Sequence, residues 1–217
     1  MRAAGLAAAL ALLATFAAAQ PSETRGGTPG AFDFYVLALS WSPGFCEVEG
    51  DAKGREQCAP GSGLGFVVHG LWPQFERGYP TECGAGRGPS RLDLEEASNL
   101  FPSEGLARHQ WRRHGTCSGE SPSGYFRAVR RARERVKVPP AFEGAAGDVR
   151  TTPLEVERAF AAANPGLRAD MMAVACRRGV LQEVRVCLTR DLRAFRTCPE
   201  VDRSGCRFGD LAVPAPR

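Results

Sequence analysis

The 217-residue chain carries 28 lysines and arginines against 24 aspartates and glutamates, a net charge of +4, with eight cysteines and only three histidines. This mildly basic balance admits a polyanionic substrate without demanding one. Beyond residue 19 no segment is apolar for long enough to cross a bilayer as a helix.

Residues 1–19 read as a secretory signal peptide. Arg2 is a minimal positive start, Leu6 to Phe16 an apolar stretch too short to span a bilayer, and Ala17-Ala18-Ala19 a small-residue cleavage site. The mature chain is expected to begin at Gln20 and to be exported, to a periplasm or the extracellular space. Residues 20–30, polar with Gly and Pro, are expected to be a flexible arm, followed by one domain over 31–217. All eight cysteines follow the leader, and an even count in an exported chain implies disulfides. No Cys-x-x-Cys pair or zinc-like spacing occurs.

Residues 33–42 predict a central strand. Cys46 to Gly63 is a loop that a Cys46–Cys58 bridge could staple. Residues 65–72 predict a second, β-branched strand carrying His69. Strict alternation puts Trp72 on the opposite face from His69, and only a bulge or bend, which Gly70 would permit, brings both into one pocket. Residues 74–90 are a Gly/Pro loop with Tyr79 and Cys83.

Helical signals follow. Ser90 caps a run through Leu92, Leu94, Ala97 and Leu100, and Ser103 caps the helix that carries His109 to His114. Ser121 or Ser123 opens a helix with Tyr125, Phe126, Val129 and Ala132 at helical spacing. Residues 140–152 are loop, and Thr152-Pro153 starts a helix to about Ala163. Residues 170–176 and 180–189 alternate as two strands joined at Arg178-Gly179, and the tail after Asp191 shows little regular structure. Helices clustered between strands that can pair antiparallel predict an α+β domain with a central, mainly antiparallel sheet, flanking helices and disulfide staples.

The chemistry concentrates in two segments, Phe66 to Pro73 and His109 to Cys117, which hold all three histidines. Histidine both takes and gives a proton near neutral pH, so this placement points to acid–base work. At about 100° per residue His109, Gln110, Arg113 and His114 share one helical face, with Trp111 and Arg112 pointing away. Two imidazoles, a guanidinium and an amide suit a phosphate with proton transfer beside it.

His69-Gly-Leu-Trp-Pro-Gln74 and His109-Gln-Trp-Arg-Arg-His114-Gly-Thr-Cys117 resemble the two active-site segments of the RNase T2 family of secreted, acid-type endoribonucleases. Phe34 to Cys46 is similar to that family's N-terminal strand and the cysteine after it. The resemblance implies a catalytic domain that cleaves single-stranded RNA through a 2′,3′-cyclic phosphate, without cofactor or metal. It implies His114 as the base on the 2′-OH, His69 as the acid for the leaving oxygen, His109 on the phosphate, and Arg113 at the family's lysine position. Trp72, Gln74 and Tyr79 are implied at one base site, Pro102 and Ser103 at a second. It further implies the bridges Cys83–Cys117, Cys176–Cys206 and Cys187–Cys198, leaving Cys46–Cys58.

Two departures stand out. Gln110 replaces the family's usual glutamate, and Gln74 replaces an aspartate that reads a base in some members, so base specificity is expected to be low. The chain is expected to act as a monomer on RNA, away from membranes. Competing readings are a metal-dependent phosphoesterase with His69, His109 and His114 as zinc ligands, and a secreted non-catalytic RNA-binding module or toxin. His109 and His114, five residues apart on a helix, are awkward ligands for one ion.

Overall fold

The computed structural model describes residues 22–50, 56–84, 87–143, 147–207 and 209–217. The expected leader lies outside them. In chain order the elements are β1 (Glu23–Arg25), β2 (Phe34–Trp41), α1 (Ser42–Phe45), β3 (Phe66–Gln74), β4 (Tyr79–Thr81), α2 (Arg91–Glu96), α3 (Glu104–Arg113) and α4 (Pro122–Arg135). β5 (Val149–Thr151), α5 (Pro153–Ala163), β6 (Met172–Arg177), β7 (Val180–Thr189), α6 (Pro199–Arg203) and β8 (Leu211–Val213) complete the α+β domain.

β2 is apolar on both faces and nearly all buried, so it can only be an interior strand. It pairs antiparallel with β3 on one side and β7 on the other, within the order β3–β2–β7–β8–β5, and β6 pairs with β7. The β6–β7 hairpin turns at Arg178 and Gly179, both at positive φ, as a tight turn matching the strand twist requires.

The two faces of the sheet are covered unequally. Tyr35, Leu37, Leu39 and Trp41 of β2 join Val68 and Leu71 of β3 in the main core, where α4 supplies Tyr125, Phe126 and Val129 and α3 supplies Trp111. Among the described residues the other face holds a small cluster of Phe34, Val36, Ala173, Cys187, Cys198 and Val201, with Trp72 against it. That thinner cover leaves room for a cleft. Four disulfides, Cys46–Cys58, Cys83–Cys117, Cys176–Cys206 and Cys187–Cys198, tie the loops around it.

The helix caps follow the sequence. Ser90 and Thr152 form capping boxes with Asp93 and Glu155, and Ser103 and Ser121 each accept from the helix's third amide. Several loops contain more structure than their sequence suggests. Within the segment expected to be a flexible arm, Glu23–Arg25 pairs in parallel with β4, itself inside the expected loop 74–90. The loop 140–152 contains β5, and the tail contains α6 and β8, the strand that pairs with β5. Strands of three residues show no readable period, and their stability comes from partners distant in the chain. The helix opened by Ser90 stops at Glu96 instead of running to Leu100, where Asn99 takes a positive φ.

Candidate active site

β3 brings its functional side chains together by breaking its own alternation. The β2–β3 register pairs Leu39 with Val68 and Ala38 with Gly70, so His69 is an extra residue between two paired ones. Val68 and Leu71 face the main core, while the bulge turns His69 to the same side as Trp72. Their rings meet edge-on with centroids 5.3 Å apart. Gly70 is required on a second count: a Cβ there would strike Gln110 Oε1 and Trp72 Nε1.

α3 approaches over that glycine. Trp111 anchors it in the core, and Gln110, 1% exposed, accepts a hydrogen bond from Trp72 Nε1 at 2.9 Å. Because an indole nitrogen only donates, this bond fixes the amide's orientation and leaves Nε2 as the donor end. His114 caps the helix at φ −123° and ψ −41°, outside helical values. A uniform 100° step therefore does not place it; the cap turns its ring to within 5.3 Å of the Trp72 ring centroid. Gly115 follows because any side chain there would strike Trp111 and Tyr125.

The three imidazoles sit in unlike surroundings. His69 Nδ1 lies 2.5 Å from Glu183 Oε2, and that carboxylate also accepts from Arg185 Nε at 2.7 Å. Glu183 is 5% exposed. Burial opposes its ionisation, yet His69 and Arg185 hold its carboxyl at about 2. His114 is the opposite case, 7% exposed with no partner for Nδ1. Burial, with Arg113, His69 and His109 nearby, pulls its pKa down to about 3, so it stays neutral in all but strong acid. His109 is exposed, and Arg112 Nη2 donates to its Nδ1 at 3.2 Å, so Arg112 does not point away from it. Partial burial and then the neighbouring arginines lower its pKa as well.

Arg113 donates to Glu23 of β1 at 2.9 Å, and Glu23 accepts in addition from Thr81 of β4. That Thr81 bond, with the Arg113 charge, keeps the Glu23 carboxyl below its usual range.

Two clefts meet at this centre. One, about 280 Å³, is lined by Trp72, Gln74, Tyr79, Gln110, Arg113 and His114 among others. Gln74 donates to the neighbouring Pro73 carbonyl. The other, about 980 Å³, takes in Pro102 and Ser103. His69, His109 and Arg185 line both. Every residue expected at the site therefore lies in one cleft or the other. Sequence reasoning missed Glu183, Arg185 and Glu23. The first two alternate with Val184 and Val186 along β7 and read as a solvated strand face. Among the described residues no three His, Cys, Asp or Glu side chains group as a metal site.

The sequence matches the Ribonuclease T2 family over residues 32–198. It is 34% identical over 178 residues to a ribonuclease of Aeromonas hydrophila, covering 80% of each chain. The fold is similar to an RNase-related protein from Calystegia sepium, with a TM-score of 0.63 at 20% identity over 85% of this chain and 97% of that one. It is also similar to RNase NT in complex with 5′-AMP, with a TM-score of 0.61 at 19% identity over 85% and 98%. The match spans β2 to Cys198 and includes both histidine segments, and the chain belongs to the Ribonuclease T2 family.

Proposed function

We propose that this endoribonuclease cleaves single-stranded RNA by metal-independent transesterification, forming a 2′,3′-cyclic phosphate. The observation that carries the reading is the contrast between two imidazoles against one tryptophan ring: His69 rests on a buried carboxylate, and His114 is buried with no acceptor for a second proton. A neutral imidazole is set up to take the proton of the 2′-OH, and one backed by a carboxylate is set up to carry a proton to the leaving 5′-oxygen. His109 Nε2, the donor end once Nδ1 accepts from Arg112, holds a phosphoryl oxygen, and Arg113 adds positive charge. Tyr79 and the exposed part of Trp72 offer aromatic surface to one base, and Pro102 and Ser103 border the cleft for the next. The Gln74 amide is partly spent on the backbone, in keeping with low base specificity.

Four disulfides fit an oxidising compartment, periplasm or cell exterior, and no helix among the described residues is long and apolar enough to cross a membrane. The enzyme is expected to work as a monomer. Purified protein should cut single-stranded RNA in EDTA and leave the 2′-deoxy substrate intact, because the 2′-OH is the nucleophile. Comparable rates on both substrates would overturn the mechanism, and loss of activity in EDTA would favour a metal-dependent phosphoesterase.

Gln110 gives a second test. Its Nε2 donates at every pH, whereas a carboxyl in its place would donate only when protonated. Gln110→Glu should therefore change the pH profile more than the maximal rate, with the variant relatively better in acid. Superimposable profiles of kcat/KM would mean that this side chain does not touch the reacting phosphate.

A further inference from the structure

Arg113, the cation expected on the phosphate, is partly engaged: one terminal nitrogen is bound to Glu23, and the side chain lines only one of the two clefts. Arg185 differs on both counts. With His69 and His109 it is shared by the two clefts. A phosphodiester joining two bound nucleosides must lie where their clefts meet. Glu183 grips Arg185 through Nε, which leaves the two terminal nitrogens of the guanidinium for another acceptor. The guanidinium carbon lies 5.4 Å from the Trp72 ring centroid, the same ring that both His69 and His114 contact.

We propose that Arg185 binds the scissile phosphate through its terminal nitrogens, and that Glu183 is the positioning residue that sets Arg185 and His69 at a fixed separation. One buried carboxylate thereby couples the phosphate grip to the leaving-group acid. Two cations face the cleft over a single anion beneath it, so positive charge remains for the substrate when His69 is protonated. A carboxylate and a guanidinium two residues apart on a strand share a face, which is how β7 delivers both from one short stretch. The inference rests on the reading of this site as one that cleaves RNA, but the phosphate grip is tested by binding, without turnover.

The probes are a nucleoside 3′-monophosphate and the matching nucleoside, titrated by calorimetry into the wild type, Arg185→Met and Arg185→Lys. Arg185→Met should weaken the nucleotide at least ~10-fold, the loss that accompanies a hydrogen bond to a charged group, and leave the nucleoside unchanged. Arg185→Lys should restore part of the difference and also serves if the methionine variant folds poorly. Three results would overturn the assignment: nucleotide affinity unchanged, nucleotide and nucleoside weakened together, or a wild type that binds both alike.

Glu183→Gln addresses positioning. The groups facing His69 are Glu183 and Arg185 of β7 and the imidazoles of His109 and His114 at α3. Removing this carboxylate should lower kcat and weaken the nucleoside 3′-monophosphate while leaving the nucleoside unchanged, and Glu183→Asp should restore part of both. Nucleotide and nucleoside weakened together, with no recovery in Glu183→Asp, would mean that Glu183 acts through packing alone.

Discussion

His114→Ala is expected to lower kcat by ~10²–10⁴-fold, the range for loss of a positioned general base. In the free protein nothing accepts a hydrogen bond from its Nδ1, and its pKa is drawn down to about 3. The ring is therefore already deprotonated before substrate arrives, and on the proposed mechanism a bound phosphodiester would supply the negative charge that makes proton uptake favourable. The acid limb of kcat/KM should accordingly lie well below the usual 6.5 of a histidine. His69→Ala should produce a fall of similar size. His109→Ala should act in good part through KM. Turnover within a few-fold of wild type in either the His69 or the His114 variant would remove that residue from proton transfer.

The same burial has a cost in stability. A histidine whose pKa falls from 6.5 unfolded to about 3 folded binds its proton only in the unfolded chain between those values. The unfolded state then carries more protons, so stability rises with pH across that window and falls as pH is lowered through it. Each pH unit below 6.5 removes about 1.4 kcal/mol, roughly 2–3 kcal/mol by pH 4.5. His109, shifted in the same direction, adds to the slope. Glu183 contributes in a lower window, with stability present above 4.5 and lost as pH falls towards about 2. Urea unfolding at pH 7, 5.5 and 4.5 would show the slope. His114→Leu, which has no proton to bind, should flatten most of it; an unchanged slope would mean that His114 is not the buried neutral group.

Much of this was legible in the sequence. The helix starts are local chemistry, a Ser or Thr ahead of an apolar periodic run, and Ser90, Ser103, Ser121 and Thr152 all cap as expected. β2 and the β6–β7 hairpin follow from apolar pattern and turn residues. What was hidden depends on partners far along the chain. Glu183 lies 114 residues from His69, and nothing in the alternation of β7 marks it as a buried carboxylate. Glu23 sits on a strand of three residues that exists only because β4 is beside it. The position of His114 depends on a cap conformation that a helical wheel cannot represent. The pocket geometry of His69 and Trp72 was legible only conditionally, through Gly70.

The bulge at His69 also governs how this strand can change. It divides β3 into two phases: core-facing residues are even-numbered before it, as Phe66 and Val68, and odd-numbered after it, as Leu71. Inserting or deleting one residue on either side would exchange inward and outward positions for everything between the change and the nearer end of the strand. A deletion at the bulge itself would return His69 or Gly70 to regular pairing and separate the His69 imidazole from the tryptophan. The cleft can therefore diversify along β3 by substitution at Trp72 or Gln74, while changes of length are confined to the loops that flank the strand.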